Sequence, residues 1–509
     1  MHECGICRIL FGMKDAPKHQ DEFSNRAERL AALRDAGIDP YPSKTGRDRT
    51  IAELAKDPPR GKKEATIAGR IRSVRSHGGS TFAHVQDGTG TFQVYLKEDE
   101  LAEQYRLFAD AADVGDFIEA RGTVFKTKRG EPTLLVSSWA MLAKALRPLP
   151  EKWHGLADVE ARFRKRYLDV LANPAVRFRM EQRSAIIDSI RDTMRKHGFL
   201  EVETPTLQPV YGGGFARPFK THHNALSADF YLRISDEMYL KRLLVGGFER
   251  VYEITKVFRN EGVDIRHNPE FTMFEAQAAY QDYAWGMGVF EEIFENAAKS
   301  VLGTTAIKHG DETVDIKRPW KRMTVSEAVK KVAGLDASAW KSAAGAKKAV
   351  RAALKGDSVR AAGLGSMRTV GEVLAFAFES LVEEKLIAPT IVHDYPVEVS
   401  PLAKKSAKNP QFTERFEGFV FGLEVGNNYS ELNDPEDLLQ RFVAEKKKEQ
   451  AGFEEAHQTD RDYLEAVEHG MPPACGFGIG VDRMAMLLTD ASNIKEVILF
   501  PTLRPKDKG

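Results

Sequence analysis

The spacing of hydrophobic residues along the chain changes its period, and the change divides the sequence. Residues 21–36 place apolar side chains at helical spacing, and Gly37 ends that pattern. From 63 to 144 the period falls to two, in short runs separated by glycines. The clearest run alternates Phe92, Val94 and Leu96 with Gln93, Tyr95 and Lys97. Residues 63–144 are therefore predicted to form a small closed β-barrel.

A second and larger domain is predicted at 166–509, joined to the barrel by a proline-bearing linker at 145–165. Its first helix shows helical spacing at Val176, Met180, Ile187, Ile190 and Met194. Strands and helices then mix without regular βαβ alternation, which favours an antiparallel α+β domain over a doubly wound one. An Ala- and Lys-rich stretch at 336–362 is predicted to be a helical, solvent-facing insertion.

Composition fits a globular protein of two or three domains. The chain has 509 residues, of which 42% are hydrophobic and 29% charged. Its formal net charge is +0, so any RNA binding depends on local clusters of Lys and Arg, such as the helix and basic segment at 21–62. No apolar run is long enough to span a bilayer, and three cysteines favour the reducing cytoplasm over a disulfide framework.

The first 20 residues are predicted to be a disordered leader. Cys4 and Cys7 are spaced as in C-x-x-C, which leaves a zinc site open as the alternative. No second cysteine pair accompanies them, and a zinc site usually takes four ligands. The disordered leader is therefore the preferred interpretation.

The most informative stretch is 251–277, which is typical of a strand, a polar loop and a second strand. Arg259 ends the first strand, and the loop carries Glu261, His267 and Asn268. Alternation puts four side chains on one face of the second strand, namely Phe271, Met273, Glu275 and Gln277. A cation beside an aromatic ring and polar groups predicts a nucleotide pocket, in which the guanidinium offers paired donors to an α-phosphate.

A glycine-rich strand is predicted near the C-terminus. Gly476, Gly478 and Gly480 alternate in it and leave bare backbone against which a flat ligand can lie, and Arg483 follows as a helix begins. By itself this pattern more often indicates close packing of two backbones.

The predicted barrel carries a possible reader of single-stranded nucleic acid. Phe82 and His84 lie on one face of their strand, and Gln93 points away from the barrel core. A ring for stacking beside an amide for base edges suits an RNA loop, and Arg70 adds a cation. Simple packing of Phe82 within the barrel is the alternative.

Several of these segments resemble class II aminoacyl-tRNA synthetases. FRNEG…RHNPEFTMFE resembles their motif 2, GFGIGVDR resembles motif 3, and GFLEVETPTL, centred on Pro205, resembles motif 1. GGGFARPFKTHHNAL, VEVSPLAKK and GNNYSELNDPEDL are similar to bacterial lysyl-tRNA synthetases. The resemblance covers about Asn25 to Pro505 and implies an OB-fold anticodon-binding barrel followed by a class II catalytic domain. It also implies a homodimer formed through the region around Pro205.

The resemblance assigns the nucleotide site. Arg259 would hold the ATP α-phosphate, while Arg483 and Phe271 would cover the two faces of the adenine. Glu261, His267 and Asn268 match positions near the nucleotide. Glu417 and Glu424 match the family's ligands of Mg²⁺, a hard cation that prefers oxygen.

The resemblance also assigns the L-lysine site. Glu275 and Glu431 match the carboxylates for the ε-ammonium, and the remaining matches are Gly213 and Glu237 near the α-ammonium, Asn427 near the carboxylate, and Tyr429 on the same strand face. Two carboxylates facing a buried pocket need a cation, and lysine is one. The sequence departs from the family at Gln277, where tyrosine is usual, and at Gly214, where alanine is usual.

In the barrel, Arg70, Phe82 and Gln93 match positions that read the central uridine of the tRNA(Lys) anticodon. Three alternatives stay open at this point. An aspartyl- or asparaginyl-tRNA synthetase shares the motifs but needs cations where Glu275 and Glu431 stand. A relative that transfers lysine to a protein or lipid would commonly lack the barrel. An inactive RNA-binding protein would not need Arg259 or Arg483.

Overall fold

The computed structural model describes residues 17–59, 61–150, 156, 158–450 and 458–505. The chain divides into two compact units, Met1–Gly155 and Leu156–Gly509. Cys4 and Cys7, with the possible zinc site, lie outside the described residues. None of the described helices is both long enough and apolar enough to cross a membrane.

The first unit contains a five-stranded closed barrel with the strand order β1-β2-β3-β5-β4. Its strands are β1 (Ala65–His77), β2 (Ser80–Gln86), β3 (Thr91–Lys97), β4 (Phe117–Lys126) and β5 (Pro132–Ala143). Its helices are α1 (Pro17–Asp35), α2 (Ile51–Lys56), α3 (Glu98–Leu101) and α4 (Glu103–Ala111). Phe92, Val94 and Leu96 are buried in the barrel core, as the period of two predicts.

Two predicted boundaries need correction. The disordered leader, predicted as 1–20, overlaps α1, because that helix begins at Pro17, a residue whose fixed φ suits the first helical turn. The linker, predicted as 145–165, contains the helix α5 (Val159–Arg164), which Asp158 caps by accepting backbone N–H bonds from Glu160 and Ala161.

The second unit is built of helices around an eight-stranded sheet. Its further helices are α6 (Arg166–Ala172), α7 (Pro174–Lys196), α8 (Glu237–Val245), α9 (Tyr283–Leu302), α10 (Val325–Ala328), α11 (Ala343–Ala353), α12 (Ser358–Gly363), α13 (Val370–Leu381), α14 (Pro435–Gln450), α15 (Arg461–Glu468) and α16 (Val481–Leu488). Its strands are β6 (Leu200–Glu201), β7 (Leu207–Gln208), β8 (Lys220–His223), β9 (Ala228–Leu232), β10 (Arg250–Phe258), β11 (Glu270–Ala279), β12 (Ala306–His309), β13 (Glu312–Asp315), β14 (Lys321–Thr324), β15 (Thr390–His393), β16 (Arg415–Val420), β17 (Leu423–Ser430) and β18 (Ala474–Gly480).

The large sheet has the order β14-β15-β16-β17-β18-β11-β10-β6. Its pairs are antiparallel from β15 across to β10, and only the outer pairs β14/β15 and β10/β6 are parallel. This arrangement confirms the predicted α+β fold class. The central strands β17, β18 and β11 provide the floor of the site described below.

The main core lies on one face of this sheet. Phe274, Ala276 and Ala278 of β11 pack there in one cluster with residues of α7 and α9, such as Ile190 and Phe290. Because successive side chains of a strand alternate between faces, the intervening residues of β11 point to the opposite face. That opposite face carries the polar site.

The stretch 336–362 is predicted from the sequence to be a helical insertion that faces solvent. This prediction is wrong for one side of the insertion, which is buried. Helices α11 and α12 do form there, but Ala346, Val350 and Leu354 are buried in a second cluster together with Phe378 of α13. The high content of Ala and Lys made it difficult to recognise this helix as amphipathic, because only Ala346, Val350 and Leu354 form its buried stripe.

Candidate active site

A cavity of about 380 Å³ opens on the polar face of the sheet. Strands β11, β16, β17 and β18 contribute to its walls, together with the loop between β10 and β11. The residues that line the cavity include every residue of the second unit that is predicted from the sequence to bind a ligand. They are Gly213, Glu237, Arg259, Glu261, His267, Asn268, Phe271, Glu275, Gln277, Glu417, Glu424, Asn427, Tyr429, Glu431 and Arg483.

Alternation and strand register build the floor of the cavity. Gln277 of β11 lies opposite Gly476 of β18, and Glu275 lies opposite Gly478. A methyl group on Gly476 would stand 2.1 Å from Glu431 Oε1 and 2.6 Å from Gln277 Nε2. The bare backbone of β18 therefore makes room for the polar side chains of neighbouring strands, which accounts for the glycine at this position.

Arginines line the end of the cavity nearest the β10–β11 loop. The Arg259 guanidinium carbon lies 5.2 Å from the centre of the Phe271 ring, and its buried Nε has no hydrogen-bond partner within the described part of the chain. Arg483 Nη1 donates to Glu424 Oε2 over 2.8 Å, and its Nη2 lies 3.2 Å from His267 Nε2. Arg259 thus keeps a buried donor available for an anion.

The two predicted metal ligands lie on adjacent strands. Glu417 accepts bonds from Arg415 Nη2 over 2.5 Å and from the Tyr395 hydroxyl over 2.7 Å, while Glu424 pairs with Arg483. Burial raises the pKa of Glu417. Within the described ranges, no group of three or more His, Cys, Asp and Glu side chains is arranged to hold a metal by itself.

Carboxylates line the opposite end of the cavity. Glu275 accepts bonds from the Ser235 hydroxyl over 2.8 and 2.9 Å and from the backbone N–H of Asp236 over 3.0 Å. Glu431 accepts a bond from Gln277 Nε2 over 2.8 Å. Since Phe271 and Gln277 are six positions apart on one strand, about 20 Å of extended chain separates the arginine end from this one.

The anionic end contains a cation of its own that the sequence analysis missed. Lys241 is fully buried, and its ammonium pairs with Glu237 and, over 2.5 Å, with Glu431 Oε2. Glu431 therefore has a cation of the protein as its partner and does not depend on the substrate alone for one. Position 241 lies on the apolar face of α8 with Met238 and Leu244, so a lysine on a buried helical stripe was the available signal.

The predicted substrate contacts also have protein partners. The Tyr429 hydroxyl donates to Glu237 Oε1 over 2.6 Å, and Asn427 Oδ1 accepts from Arg415 Nε over 3.0 Å. Gly213 has a φ of +82°, and a methyl group there would stand 2.6 Å from Ser235 Oγ. The backbone at Gly213 thus requires glycine both for its conformation and for its close approach.

The barrel residues named from the sequence lie on adjacent strands and point away from the core. Phe82 stacks on Tyr95 with ring centres 4.2 Å apart and planes 14° apart, so one of its faces is covered and it is half-buried. Gln93 Oε1 accepts from Thr133 Oγ1 over 2.8 Å. The Arg70 guanidinium lies 4.1 Å from the Phe117 ring centre.

Two family models match the chain: tRNA synthetases class II (D, K and N) at 158–504, and the OB-fold nucleic acid binding domain at 65–142. The lysine–tRNA ligase of Pelotomaculum thermopropionicum is 50% identical over 490 residues, which cover 95% of this chain and 94% of that protein. The lysine–tRNA ligase of Bacillus subtilis is 46% identical over 495 residues, which cover 96% and 98%. The chain belongs to the lysine–tRNA ligase family.

As a lysine–tRNA ligase, the chain is a class II aminoacyl-tRNA synthetase with ATP as a substrate. The family confirms the fold class, with the OB-fold barrel before the catalytic unit. Similarity to lysine–tRNA ligases over nearly the whole length favours this family over an aspartate or asparagine enzyme, over a relative without the barrel, and over an inactive RNA-binding protein.

Proposed function

We propose that the cavity of the catalytic unit carries out both steps of the ligase reaction. In the first step, the carboxylate of L-lysine attacks the α-phosphorus of ATP, and the bond to pyrophosphate breaks. In the second step, the 3′ end of tRNA(Lys) takes the lysyl group and AMP leaves. This proposal rests on the distribution of charge in the cavity. Buried carboxylates lie at one end, and the unpartnered donor of Arg259 lies at the other.

The arginine end suits the nucleotide. Arg259 would hold the α-phosphate and neutralise the charge that develops there, which is how most of the rate of phosphoryl chemistry is gained. Phe271 and Arg483 would sandwich the adenine, with Glu261, His267 and Asn268 around the nucleotide. The unpartnered Nε of Arg259 supports this role, because a buried donor without an acceptor costs free energy unless a ligand supplies one.

The carboxylate end suits lysine. Glu275 and Glu431 would bind the ε-ammonium, with Gln277 and Tyr429 beside them. Gly213 and Glu237 would receive the α-ammonium, and Asn427 the carboxylate. Gln277 stands where the family usually has tyrosine, and it reaches Glu431 through its amide N–H. Its Oε1 is buried without a partner within the described residues, so an acceptor is available to the substrate ammonium.

Mg²⁺ is the proposed cofactor, with Glu417 and Glu424 as its protein ligands. Two carboxylates are sufficient because Mg²⁺ usually takes the rest of its oxygen ligands from water and from substrate phosphates. When bound, the ion would neutralise phosphate charge and orient the pyrophosphate leaving group. Arg415 and Arg483, which pair with these glutamates, would hold both carboxylates toward the cavity.

The barrel is proposed to read the anticodon of tRNA(Lys). Arg70, Phe82 and Gln93 would bind its central uridine by charge, by stacking and by a hydrogen bond to the base edge. Tyr95, which stacks on Phe82, supports this role because it holds the plane of the half-buried Phe82 ring in place.

We also propose a homodimer formed through the region around Pro205. Leu200 and Leu207 flank Pro205, and their side chains are 50% and 45% exposed in the single chain. Large apolar side chains that are exposed in the single chain are the kind that a protein interface covers. The proposed location is the reducing cytoplasm, which the low cysteine content and the buried free thiol of Cys475 support.

ATP–pyrophosphate exchange tests the proposed reaction. Lysine should drive exchange, and aspartate should not, because its side chain would meet Glu275 and Glu431. Ornithine should be a weak substrate, disfavoured by about 1–3 kcal/mol for its missing methylene. Exchange driven by aspartate, or a failure to charge tRNA(Lys) in spite of lysine-driven exchange, would contradict the proposal.

Lysine binding at pH 7 is expected to release protons. Burial raises the pKa of Glu431 to about 8, and the charge of Glu237 adds to this rise while Lys241 opposes it. A bound ammonium stabilises the ionised carboxylate, so affinity for lysine should increase as the pH rises toward about 8. Titration calorimetry in two buffers of different ionisation enthalpy measures the release. Binding heats that do not depend on the buffer would refute this expectation.

Replacing Phe82 with alanine is expected to impair tRNA selection and leave lysine-dependent exchange unchanged. Loss of one base stack costs about 1–3 kcal/mol, which raises the KM for tRNA(Lys) by a factor of about 5–150. The control is a tRNA(Lys) whose central anticodon uridine is changed to cytidine. The unmodified ligase should discriminate against this tRNA and the variant should discriminate much less. Equal discrimination by both proteins would remove Phe82 from the reader.

A further inference from the structure

A buried lysine of the protein stands behind the proposed amino-acid site. Lys241 is fully buried on α8, and its ammonium lies between Glu237 and Glu431. Those two carboxylates are the proposed partners of the two ammonium groups of the substrate. Lys241 therefore contacts both ends of the lysine site from inside the protein.

Within the described residues, two carboxylates and two tyrosine rings face this ammonium. Glu237 faces it from α8, Glu431 from the end of β17, and two rings lie near it, Tyr429 at 5.2 Å and Tyr463 of α15 at 6.0 Å. Burial lowers the pKa of Lys241, but the charges of the two glutamates outweigh it and raise the pKa well above its ordinary value. Lys241 is thus a permanent cation.

The charges of the pocket match those of the substrate only if Lys241 is counted. When ionised, Glu237, Glu275 and Glu431 carry three negative charges, and Lys241 offsets one of them. Asp236 is not counted, because it is not among the residues that line the cavity. Two negative charges remain, and the two ammonium groups of lysine balance them.

We propose that Lys241 is a positioning residue that sets amino-acid specificity, by holding Glu237 and Glu431 in place and by limiting the pocket to two uncompensated negative charges. This inference rests on the proposed function, because it takes those glutamates as the ammonium ligands. It also explains why a buried cation is retained in a site that selects a cation. Without an internal cation, the three carboxylates of Glu237, Glu275 and Glu431 would keep a proton instead of binding the second ammonium.

Lys241→Met removes the charge and keeps most of the side-chain volume. The KM for lysine in pyrophosphate exchange should rise by about 100-fold, as expected when one partner of a buried ion pair is lost. The KM for ATP should stay within about threefold. The loss should depend on pH: Lys241 lowers the pKa of Glu431, so without the cation this carboxylate ionises only at higher pH, and the defect should be greatest near pH 6.5 and smaller near pH 9. A merely structural role would weaken lysine binding equally at every pH.

Lys144→Met is the matched control. Lys144 is also a buried lysine paired with two carboxylates, Asp113 and Asp116, but it belongs to the barrel unit. This variant should lose stability and keep both the KM for lysine and its pH profile. If the unmodified protein shows no lysine-dependent exchange, the proposed function fails. If it does, and Lys241→Met keeps the KM within threefold at every pH, only the inference about Lys241 fails.

A double variant covers the case in which Lys241→Met does not fold. Lys241→Met combined with Glu431→Gln removes one cation and one anion and restores two negative charges. In the Glu431→Gln background, removal of Lys241 should therefore cost at most about tenfold in the KM for lysine. A cost near 100-fold in both backgrounds, or a double variant that fails to fold while Glu431→Gln folds, would overturn the proposal.

Discussion

Replacing Arg259 with alanine is expected to lower lysine-dependent ATP–pyrophosphate exchange by a factor on the order of 1000 or more. Arg259 is half-buried at the nucleotide end of the cavity, beside the Phe271 ring, and its Nε is buried without a partner among the described residues. Among the described residues that line the cavity, Arg259 is the one whose guanidinium has a buried nitrogen without a partner. The charge that develops on the phosphate would then be left without its main partner.

The loss should appear in the rate of adenylate formation and not in tRNA binding, because the anticodon residues belong to the barrel unit. Exchange kinetics and a filter-binding measurement with tRNA(Lys) separate the two effects. Arg195→Ala is a suitable control, since Arg195 is an exposed arginine of α7 that pairs with Asp192. Exchange by Arg259→Ala within tenfold of the unmodified rate would show that Arg259 does not have the assigned role.

Replacing Gly476 with alanine is expected to raise the KM for lysine by about 100-fold or more. The new methyl group would stand 2.1 Å from Glu431 Oε1 and 2.6 Å from Gln277 Nε2, so both side chains must move. A displacement of about 1 Å in a positioning group is enough for a loss of this size. The KM for ATP should change much less, because Gly476 lies at the carboxylate end of the cavity.

Gly478 provides a graded comparison on the same strand. A methyl group there would meet the backbone oxygen of Asn427 at 3.1 Å, which requires a shift of only a few tenths of an ångström and touches no carboxylate. Gly478→Ala should therefore raise the KM for lysine by less than about tenfold. Equal effects of the two substitutions in exchange kinetics would contradict the steric explanation.

Many residues of the site could be predicted from the sequence, because they lie on strands whose side chains alternate between two faces. On β11, a period of two is sufficient to bring Phe271, Glu275 and Gln277 to one face, and the structure has them there. The glycines of β18 could not be interpreted in the same way from the sequence alone. Their meaning depends on Glu431 and Gln277, which approach Gly476 from two different strands.

Contacts between buried residues that are far apart in the sequence are harder to predict than the alternation of side chains along one strand. Glu237 and Lys241 are four positions apart on α8, a spacing that usually indicates a surface ion pair. Only the packed structure brings Glu431, nearly two hundred positions later, to the same ammonium. The Ser235 hydroxyl and the backbone N–H of Asp236, which bind Glu275, were missed for the same reason.

Short helices were also missed in the sequence, although polar residues that cap their first turn could have been recognised there. Helix α2 begins with a capping box between Thr50 and Glu53, a signature that can be seen in the sequence. Helix α11 buries only Ala346 and Val350 among Ala and Lys residues that are exposed or half-buried, so its composition indicated a solvated helix. In both cases local residues carried the information, and composition obscured it.

The most direct test of the account is a crystal structure with lysine and a non-hydrolysable ATP analogue bound. We expect the ε-ammonium within about 3 Å of carboxylate oxygens of Glu275 and Glu431, and the α-phosphate against the guanidinium of Arg259. Lys241 should still pair with Glu431 in that complex. A lysine bound with its carboxylate toward Glu275, or with Glu275 and Glu431 turned away from the ε-ammonium, would contradict the account.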